Sequence, residues 1–193
     1  MRVVGGEARG RRFLAPEVAP VRPTSDRVRE AIFDVLSSLG APAEYAVLDL
    51  FAGSGALGIE ALSRGAERVI FVDQDRRVTK QIRENLTAVK LAATGRTEIV
   101  QSDAIAYCRS RQSVLEEIDL TLCDPPYDYL SWAKLLRVMP GEIVVLESNR
   151  SIELPEHLVL HREYRYGGTL VTVAHRREGM APLFPTELDE EVL

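Results

Sequence analysis

The fold is decided by one stretch of the chain, VLDLFAGSGALG at residues 47–58. Its first half is apolar around a single acidic residue, Asp49, and is typical of a buried strand. Its second half carries the pattern G-x-G-x-x-G at Gly53, Gly55 and Gly58, which is called the glycine loop below. This segment runs into an apolar helical segment. Glycines in this setting let the backbone turn tightly and pass close to a bound ligand. We therefore predict a strand, a ligand-binding loop and a helix, the unit from which Rossmann-like folds are built.

On both sides of this stretch the sequence alternates between strand patterns and helix patterns. Strands are predicted at 46–51, 69–72, 98–100, 120–123 and 143–146, and helices at 56–64, 78–89, 104–111 and 132–136. A further helix is predicted to start at Ser25 or Asp26, either of which can cap it, and to end near Leu39. This alternation predicts an α/β fold with a mostly parallel sheet covered by helices on both faces.

Both ends of the chain carry the pattern of a β-hairpin. Residues 157–166 and 169–175, joined at Gly167-Gly168, predict a C-terminal antiparallel hairpin. Residues 1–14 combine short apolar pairs with glycines and arginines, which predicts a small, exposed N-terminal hairpin.

Charge is distributed unevenly along the 193 residues, whose net charge is −5. Residues 1–29 contain seven arginines against three acidic residues, and residues 178–193 contain five acidic residues and no lysine or arginine. The basic segment favours a nucleic-acid partner in spite of the acidic total. The N-terminus lacks the apolar core of a signal peptide, and acidic residues interrupt the longest apolar region, so we expect a cytoplasmic protein that does not contact a membrane. Two cysteines and three histidines show no metal-ligand spacing, and no metal is predicted.

Acidic residues after successive strands indicate an adenosine-containing cofactor. Asp73 lies 20 residues after Gly53, the spacing at which a carboxylate reaches the two ribose hydroxyls. Asp49 would repel the pyrophosphate of a dinucleotide, whereas S-adenosylmethionine carries a sulfonium and an ammonium that a carboxylate stabilises. Asp103, in QSDA at 101–104, is placed to accept from an adenine amino group. The alternatives are that Asp49 accepts from neighbouring backbone amides and that Asp103 caps a helix.

The residues DPPY at 124–127 directly follow the fourth strand of the predicted sheet. The exocyclic amino group of guanine or adenine is a poor nucleophile, because its lone pair is delocalised into the ring. Asp124 and a backbone carbonyl of the rigid Pro125-Pro126 turn would hold the two N–H groups and favour a pyramidal nitrogen. Tyr127 offers a ring on which an extruded base can stack. These four residues are the predicted catalytic residues, and the alternative is an ordinary turn.

Together with RVVGG at 2–6 and RPTSDRVRE at 22–30, these motifs resemble those of the bacterial small-subunit ribosomal RNA guanine-N2 methyltransferases of the RsmD type. The resemblance extends to about Arg177 and implies a seven-stranded Rossmann-like methyltransferase sheet. It also implies S-adenosylmethionine as cofactor and, as substrate, one guanine of 16S rRNA. The cofactor contacts that it implies lie at or near Asp49, Phe51, Gly53, Gly55, Asp73, Ser102, Asp103 and Ala104.

The charge distribution, together with this resemblance, sets the expected organisation of the chain. We expect an N-terminal basic extension at 1–23, a methyltransferase domain at 24–177 and an acidic, disordered tail at 178–193. The expected substrate is the rRNA within a 30S subunit or an assembly intermediate, and the expected enzyme is a monomer.

Arginines near the N-terminus are predicted to contact RNA phosphates, which adds salt-dependent affinity without reading the sequence. They are Arg2, Arg9, Arg11, Arg12 and Arg22. The alternatives are that this segment is a solvated, mobile arm and that Arg22 lines the mouth of the cofactor site.

Three other functions fit parts of the pattern. An N6-adenine methyltransferase, or another amino-methyltransferase acting on DNA, would use the same pocket. An NAD-dependent oxidoreductase would use the same glycine loop, and an RNA-binding assembly factor would retain a vestigial cofactor site. Titration with S-adenosylhomocysteine and NAD separates the cofactors, and mapping of the methylated nucleotide separates the methyltransferases.

Overall fold

The computed structural model describes residues 1–15, 25–111 and 116–178. Within these ranges the helices are α1 (Asp26–Ser38), α2 (Ala56–Ser63), α3 (Arg76–Ala88), α4 (Ala104–Ser110) and α5 (Trp132–Val138). The strands are β1 (Ala46–Leu50), β2 (Arg68–Asp73), β3 (Thr97–Gln101), β4 (Leu120–Cys123), β5 (Ile143–Ser148), β6 (Leu158–Tyr166) and β7 (Thr169–Arg176). Arg22, predicted to bind RNA, and the acidic tail beyond Glu178 lie outside the described residues.

The strands form one sheet in the order β3-β2-β1-β4-β5-β7-β6. β1 to β5 are parallel, and β7 lies antiparallel between β5 and the edge strand β6. The strand order reverses where β1 pairs with β4, and in such sheets ligands bind outside the carboxyl ends of the strands at this point. The predicted fold class, a seven-stranded Rossmann-like sheet with a C-terminal antiparallel hairpin, is confirmed.

Helices cover the sheet on both faces. Buried side chains of α1, α2 and α3 pack on one face, and those of α4 and α5 pack on the other. All five residues of β1 are buried, as expected for a central strand between two helical layers. With both faces covered, a ligand is expected at the carboxyl ends of the parallel strands, a region called the carboxyl end of the sheet below.

The start of α1 shows how the local sequence sets an element. Of the two predicted caps, Ser25 is the one used, and its hydroxyl oxygen accepts from the Val28 amide at 3.2 Å. Val28, Ile32 and Leu36 recur at helical spacing and are all buried. The helix is therefore held against the sheet by one apolar face.

Residues 1–14, called the N-terminal loop below, form the predicted small hairpin around an antiparallel bridge between Arg2 and Arg12. The prediction that this hairpin is exposed is wrong, because its apolar residues are part of the core. The buried residues of the loop are Val3, Ala8 and Phe13.

Glu60 of α2 explains why the N-terminal loop is docked. Its side chain is fully buried, and its carboxylate accepts from the amides of Val4 and Gly5 at 2.9 and 2.7 Å. It also pairs with Arg64 at 2.8 Å and with the buried Arg29 at 3.5 Å. A buried carboxylate is tolerated only when charges and donors surround it in this way. The loop is thus tied to the helix that follows the glycine loop.

Candidate cofactor and catalytic site

The start of α2 requires glycine at two positions for different reasons. Gly55 has a φ of 79° and is the N-cap of α2, a left-handed conformation that favours glycine. Gly58 lies inside α2, where an added Cβ would come within 2.3 Å of Phe71 Cε1 and 2.9 Å of Asp49 Oδ2. The first turn of α2 therefore packs directly against β1 and β2, and the glycine loop is held at the carboxyl end of the sheet.

Asp49 is a buried carboxylate near the end of β1. Its Oδ2 accepts from the Gly58 amide at 2.9 Å. Burial raises the pKa of Asp49 well above the ordinary value, and the nearby carboxylates of Asp124 and Asp73 raise it further. The hydrogen bond to a backbone amide, considered above as an alternative role, is present. The unfavourable energy of this buried negative charge would be relieved by a cation in the same cleft.

Asp73 ends β2 and fixes the glycine loop from the other side. Its Oδ2 accepts from the Gly53 amide at 3.0 Å, and its Oδ1 accepts from the Asp75 amide at 2.9 Å. Burial raises the pKa of Asp73 in spite of these hydrogen bonds. Each carboxylate oxygen has a second lone pair, so the predicted interaction with ribose hydroxyls is compatible with these contacts.

The residues after β3 adjoin the end of β2. The Ser102 amide donates to the Asp73 carbonyl at 3.0 Å, which keeps the two strand ends together. Asp103 is the N-cap of α4, and its Oδ1 accepts from the Ala106 amide at 2.9 Å. Helix capping, the alternative considered for Asp103, is therefore present, whereas Ala104 is buried as the first residue of α4. The side chain of Asp103 remains exposed and available to a ligand at the carboxyl end of the sheet.

The predicted catalytic corner, residues 124–127, lies beside the glycine loop. The Asp124 amide is 3.5 Å from the Leu50 carbonyl at the end of β1. Pro125 is buried, whereas Asp124 and Tyr127 are half-buried. The hydroxyl groups of Tyr127 and Thr169 are 2.6 Å apart, so the tyrosine ring is anchored to the start of β7. The corner is consequently held by both the parallel and the antiparallel parts of the sheet.

A cluster of aromatic rings next to this corner was only partly predicted. The ring centroids of Phe51 and Tyr129 are 5.1 Å apart, and those of Tyr129 and Trp132 are 5.5 Å apart, both edge to face. Burial raises the pKa of Tyr129 to about 12. Phe51 was predicted to lie near the cofactor, but Tyr129 was missed. The signal that could have identified Tyr129 is its place two residues after the catalytic corner.

The N-terminal loop reaches the glycine loop through Asn85, a buried residue of α3. The Asn85 Nδ2 donates to the carbonyls of Ser54 and Leu14 at 2.8 and 2.9 Å. Its Oδ1 accepts from the Leu14 amide at 3.0 Å. One side chain therefore connects the glycine loop to the N-terminal loop, a link that the sequence pattern did not indicate.

The arginines predicted to bind RNA occupy different environments. Arg9 and Arg12 are exposed on the N-terminal loop. Arg2 is exposed but pairs with Asp26 at 2.9 Å, and Arg11 donates to the Val89 carbonyl at 2.6 Å. Residues 1–13 are not a solvated, mobile arm, because they are docked against α2 and α3. Arg9 and Arg12 are thus exposed cations of this segment that form no ion pair within the described part of the chain.

Two absences were established for the described parts of the chain. No helix within 1–15, 25–111 and 116–178 is both long enough and apolar enough to cross a membrane. Nor do His, Cys, Asp and Glu side chains in those ranges gather into a group of three that could hold a metal ion.

Comparisons with known proteins agree with this geometry. The family model described as "Conserved hypothetical protein 95" matches residues 1–175. The YlbH protein of Bacillus subtilis (strain 168) is 36% identical over 190 residues, which cover 92% of this chain and 100% of that protein. Ribosomal RNA small subunit methyltransferase D of Haemophilus influenzae is 30% identical over 176 residues, 86% of this chain and 89% of that enzyme. The solved structure of the yhhF protein from Escherichia coli has a TM-score of 0.77 at 30% identity and covers 91% of this chain and 97% of that one. The chain therefore belongs to the family described as conserved hypothetical protein 95, that of the RsmD-type ribosomal RNA small subunit methyltransferases.

Proposed function

We propose that this protein transfers a methyl group from S-adenosylmethionine to the exocyclic N2 amino group of a guanine in 16S rRNA. It would act in the cytoplasm, as a monomer, on a 30S subunit or an assembly intermediate. The observation that carries the proposal is that the catalytic corner lies beside Asp49, the buried carboxylate that accepts from the Gly58 amide. The Asp124 amide lies against the end of β1, and the charge of Asp124 is close enough to influence Asp49.

The residues at the carboxyl end of the sheet fit S-adenosylmethionine better than a dinucleotide. The carboxylates of Asp49, Asp73 and Asp124 create a negative potential there. This potential favours a sulfonium and an ammonium and opposes a pyrophosphate. When bound, S-adenosylmethionine supplies an electrophilic methyl group. Family membership supports the same choice and argues against the NAD-dependent oxidoreductase considered above.

The catalytic corner is suited to preparing an amino group for attack. The Asp124 carboxylate accepts from one N–H of the target amine, and the Pro125 carbonyl accepts from the other. The Pro126 carbonyl already accepts from the Tyr129 amide at 2.9 Å and could offer the amine only its second lone pair. The amine held in this way would take the methyl group as the N–C bond formed and the S–C bond of the cofactor broke, and the extra proton on nitrogen would then leave to water. Positioning of the amine is the main contribution of the protein.

The walls of the corner fit an extruded base. The Tyr127 ring cannot turn away freely, since its hydroxyl is hydrogen-bonded to Thr169. A base that stacks on this ring would present its amino edge to Asp124. The exposed Arg9 and Arg12 are placed on the N-terminal loop for contacts with RNA phosphates.

The first experiment compares Asp124→Ala with Asp128→Ala. Asp128 is exposed four residues after Asp124 and is a matched carboxylate outside the hydrogen-bonding geometry proposed here. We expect Asp124→Ala to lower the methyl-transfer rate by about 10²- to 10³-fold, the effect of losing one electrostatic contact at a reacting centre. Asp128→Ala should remain close to wild type. Full turnover by Asp124→Ala would exclude Asp124 from the mechanism.

The second experiment identifies the substrate. The protein is incubated with labelled S-adenosylmethionine and with small subunits from cells that lack the enzyme, and the label is located in the 16S rRNA. We expect N2-methylguanine at one position. Label on adenine N6 would favour the adenine methyltransferase, and RNA binding without any transfer would favour the assembly factor.

A further inference from the structure

Strand β6, at the edge of the sheet, carries aromatic and basic side chains that its role as an edge strand does not explain. The rings of Tyr164 and Tyr166 are nearly parallel, with an interplanar angle of 18° and centroids 6.4 Å apart. The Arg162 guanidinium lies over the Tyr164 ring, 5.6 Å from its centroid. We propose that these three residues, called the β6 platform, bind single-stranded RNA that flanks the target nucleotide.

The strand register places the three side chains of the β6 platform on one face of the sheet. Arg162, Tyr164 and Tyr166 alternate along β6 and pair with Val173, Val171 and Thr169 of β7. Both tyrosines pack partly against the core on the α1 side and are half-buried, whereas Arg162 is exposed. One side of each ring is therefore held by the core, and part of the ring surface remains in solvent.

The β6 platform is continuous with the catalytic corner. Tyr166 pairs across the hairpin with Thr169, whose hydroxyl is 2.6 Å from that of Tyr127. The order of groups leading away from Asp124 is thus Tyr127, Thr169, Tyr166, Tyr164 and Arg162. The nucleotides on either side of an extruded base must lie on the protein surface next to the catalytic corner. This row of residues is such a surface.

The chemistry of the row matches RNA better than an apolar protein partner. Unstacked bases bind to exposed aromatic rings regardless of sequence, and arginine contributes both phosphate contact and stacking. Glu163, which pairs with Thr172, and the exposed Arg165 both alternate with the platform residues, so they belong to the other face. The positive charge of the platform face, which a phosphate backbone requires, therefore comes from Arg162.

This inference rests on the proposed function, and its test separates the two. The variants are Tyr164→Leu/Tyr166→Leu, which keeps apolar contact with the core but removes the rings, and Arg162→Gln, which changes an exposed side chain. Arg137→Gln is the matched control, since Arg137 is exposed on α5 near its C-terminal end. Circular dichroism melts check the fold of each variant. Binding of an oligouridine of about 12 nucleotides is measured by fluorescence anisotropy, a length within the reach of one such surface.

We expect the double tyrosine variant to raise the Kd for oligouridine and the KM for small subunits about tenfold, with kcat and S-adenosylhomocysteine affinity little changed. Arg162→Gln should lower the slope of log K against log salt by about 0.7, the value for one phosphate contact on a single strand. Variants that fold normally and bind within about twofold of Arg137→Gln would overturn the β6 platform. If the tyrosine variant does not fold, Arg162→Gln alone decides. Absence of methyl transfer by the wild type would instead contradict the proposed function, and the oligouridine assay would still report on the platform.

Discussion

Asn85→Leu tests whether one side chain holds both the glycine loop and the N-terminal loop. Asn85 is 1% exposed and makes three hydrogen bonds to the two loops, one to Ser54 and two to Leu14, at 2.8 to 3.0 Å, and it accepts a longer one from Gln81 Nε2 at 3.4 Å. Leucine has nearly the same shape but neither donates nor accepts, so the longer hydrogen bond and all three to the loops are lost. At about 1 kcal/mol net for each, the free energy of unfolding should fall by about 3 kcal/mol. A domain with a stability of about 5–15 kcal/mol remains folded after this loss.

The same substitution should weaken cofactor binding. One of the three hydrogen bonds ends on the Ser54 carbonyl, within the glycine loop. Without this hydrogen bond, part of the binding free energy, about 1 kcal/mol, is spent on ordering the glycine loop. S-adenosylhomocysteine should therefore bind about fivefold more weakly. Urea unfolding gives the stability, and calorimetric titration gives the affinity.

Thr87→Ala is the control for Asn85→Leu. Thr87 is exposed on the same helix, and its hydroxyl donates only within that helix, to the Arg83 carbonyl at 2.9 Å. It should change the free energy of unfolding by less than about 0.5 kcal/mol. If Asn85→Leu unfolds at the same urea concentration as Thr87→Ala, the reasoning is refuted. A loss of stability with unchanged ligand affinity would restrict the role of Asn85 to the N-terminal loop.

Three further predictions concern buried groups near the site. Glu60→Gln removes the buried carboxylate from Arg29 and should lower the free energy of unfolding by about 3 kcal/mol or more in urea; a change below about 1 kcal/mol would contradict this. Gly58→Ala forces Phe71 to move and should cost about 1–3 kcal/mol in thermal unfolding, whereas an unchanged melting temperature would mean that the ring can give way. Folding raises the pKa of Asp49. The contribution of this carboxyl group to the free energy of unfolding is therefore complete at acid pH and is lost as the pH rises through its raised pKa. Asp49→Asn does not titrate and should therefore gain in stability relative to the wild type as the pH rises above the ordinary carboxyl pKa of about 4; a constant difference would count against this prediction.

The sequence predicted the elements of the fold because their causes are local. Apolar residues at helical spacing marked α1, and the bounds predicted for β4, 120–123, agree with the structure. The glycine loop and the catalytic corner were identified because each is contiguous in the chain. Residues 49, 73 and 124 were expected at one end of the sheet, and the order of the strands brings them there.

Contacts between distant segments could not be predicted in this way. Glu60 and Asn85 look like solvated positions of amphipathic helices, yet both are buried and hydrogen-bonded to the N-terminal loop. The arginines around Val3 and Phe13 suggested an exposed hairpin, since nothing in residues 1–14 reveals the acceptors on α2. Periodicity describes which face of an element is apolar, but it does not identify the segment that covers a polar group.

The docked N-terminal loop has a consequence for biosynthesis. Its partners Glu60 and Asn85 are translated long after the loop itself, and at roughly 5–20 residues per second the delay is on the order of several seconds. During this time Val3 and Phe13 have no core to pack against. The charged arginines around them favour the solubility of the nascent segment. The loop is thus made before the two helices that bind it, and it can dock only after α2 and α3 have been synthesised.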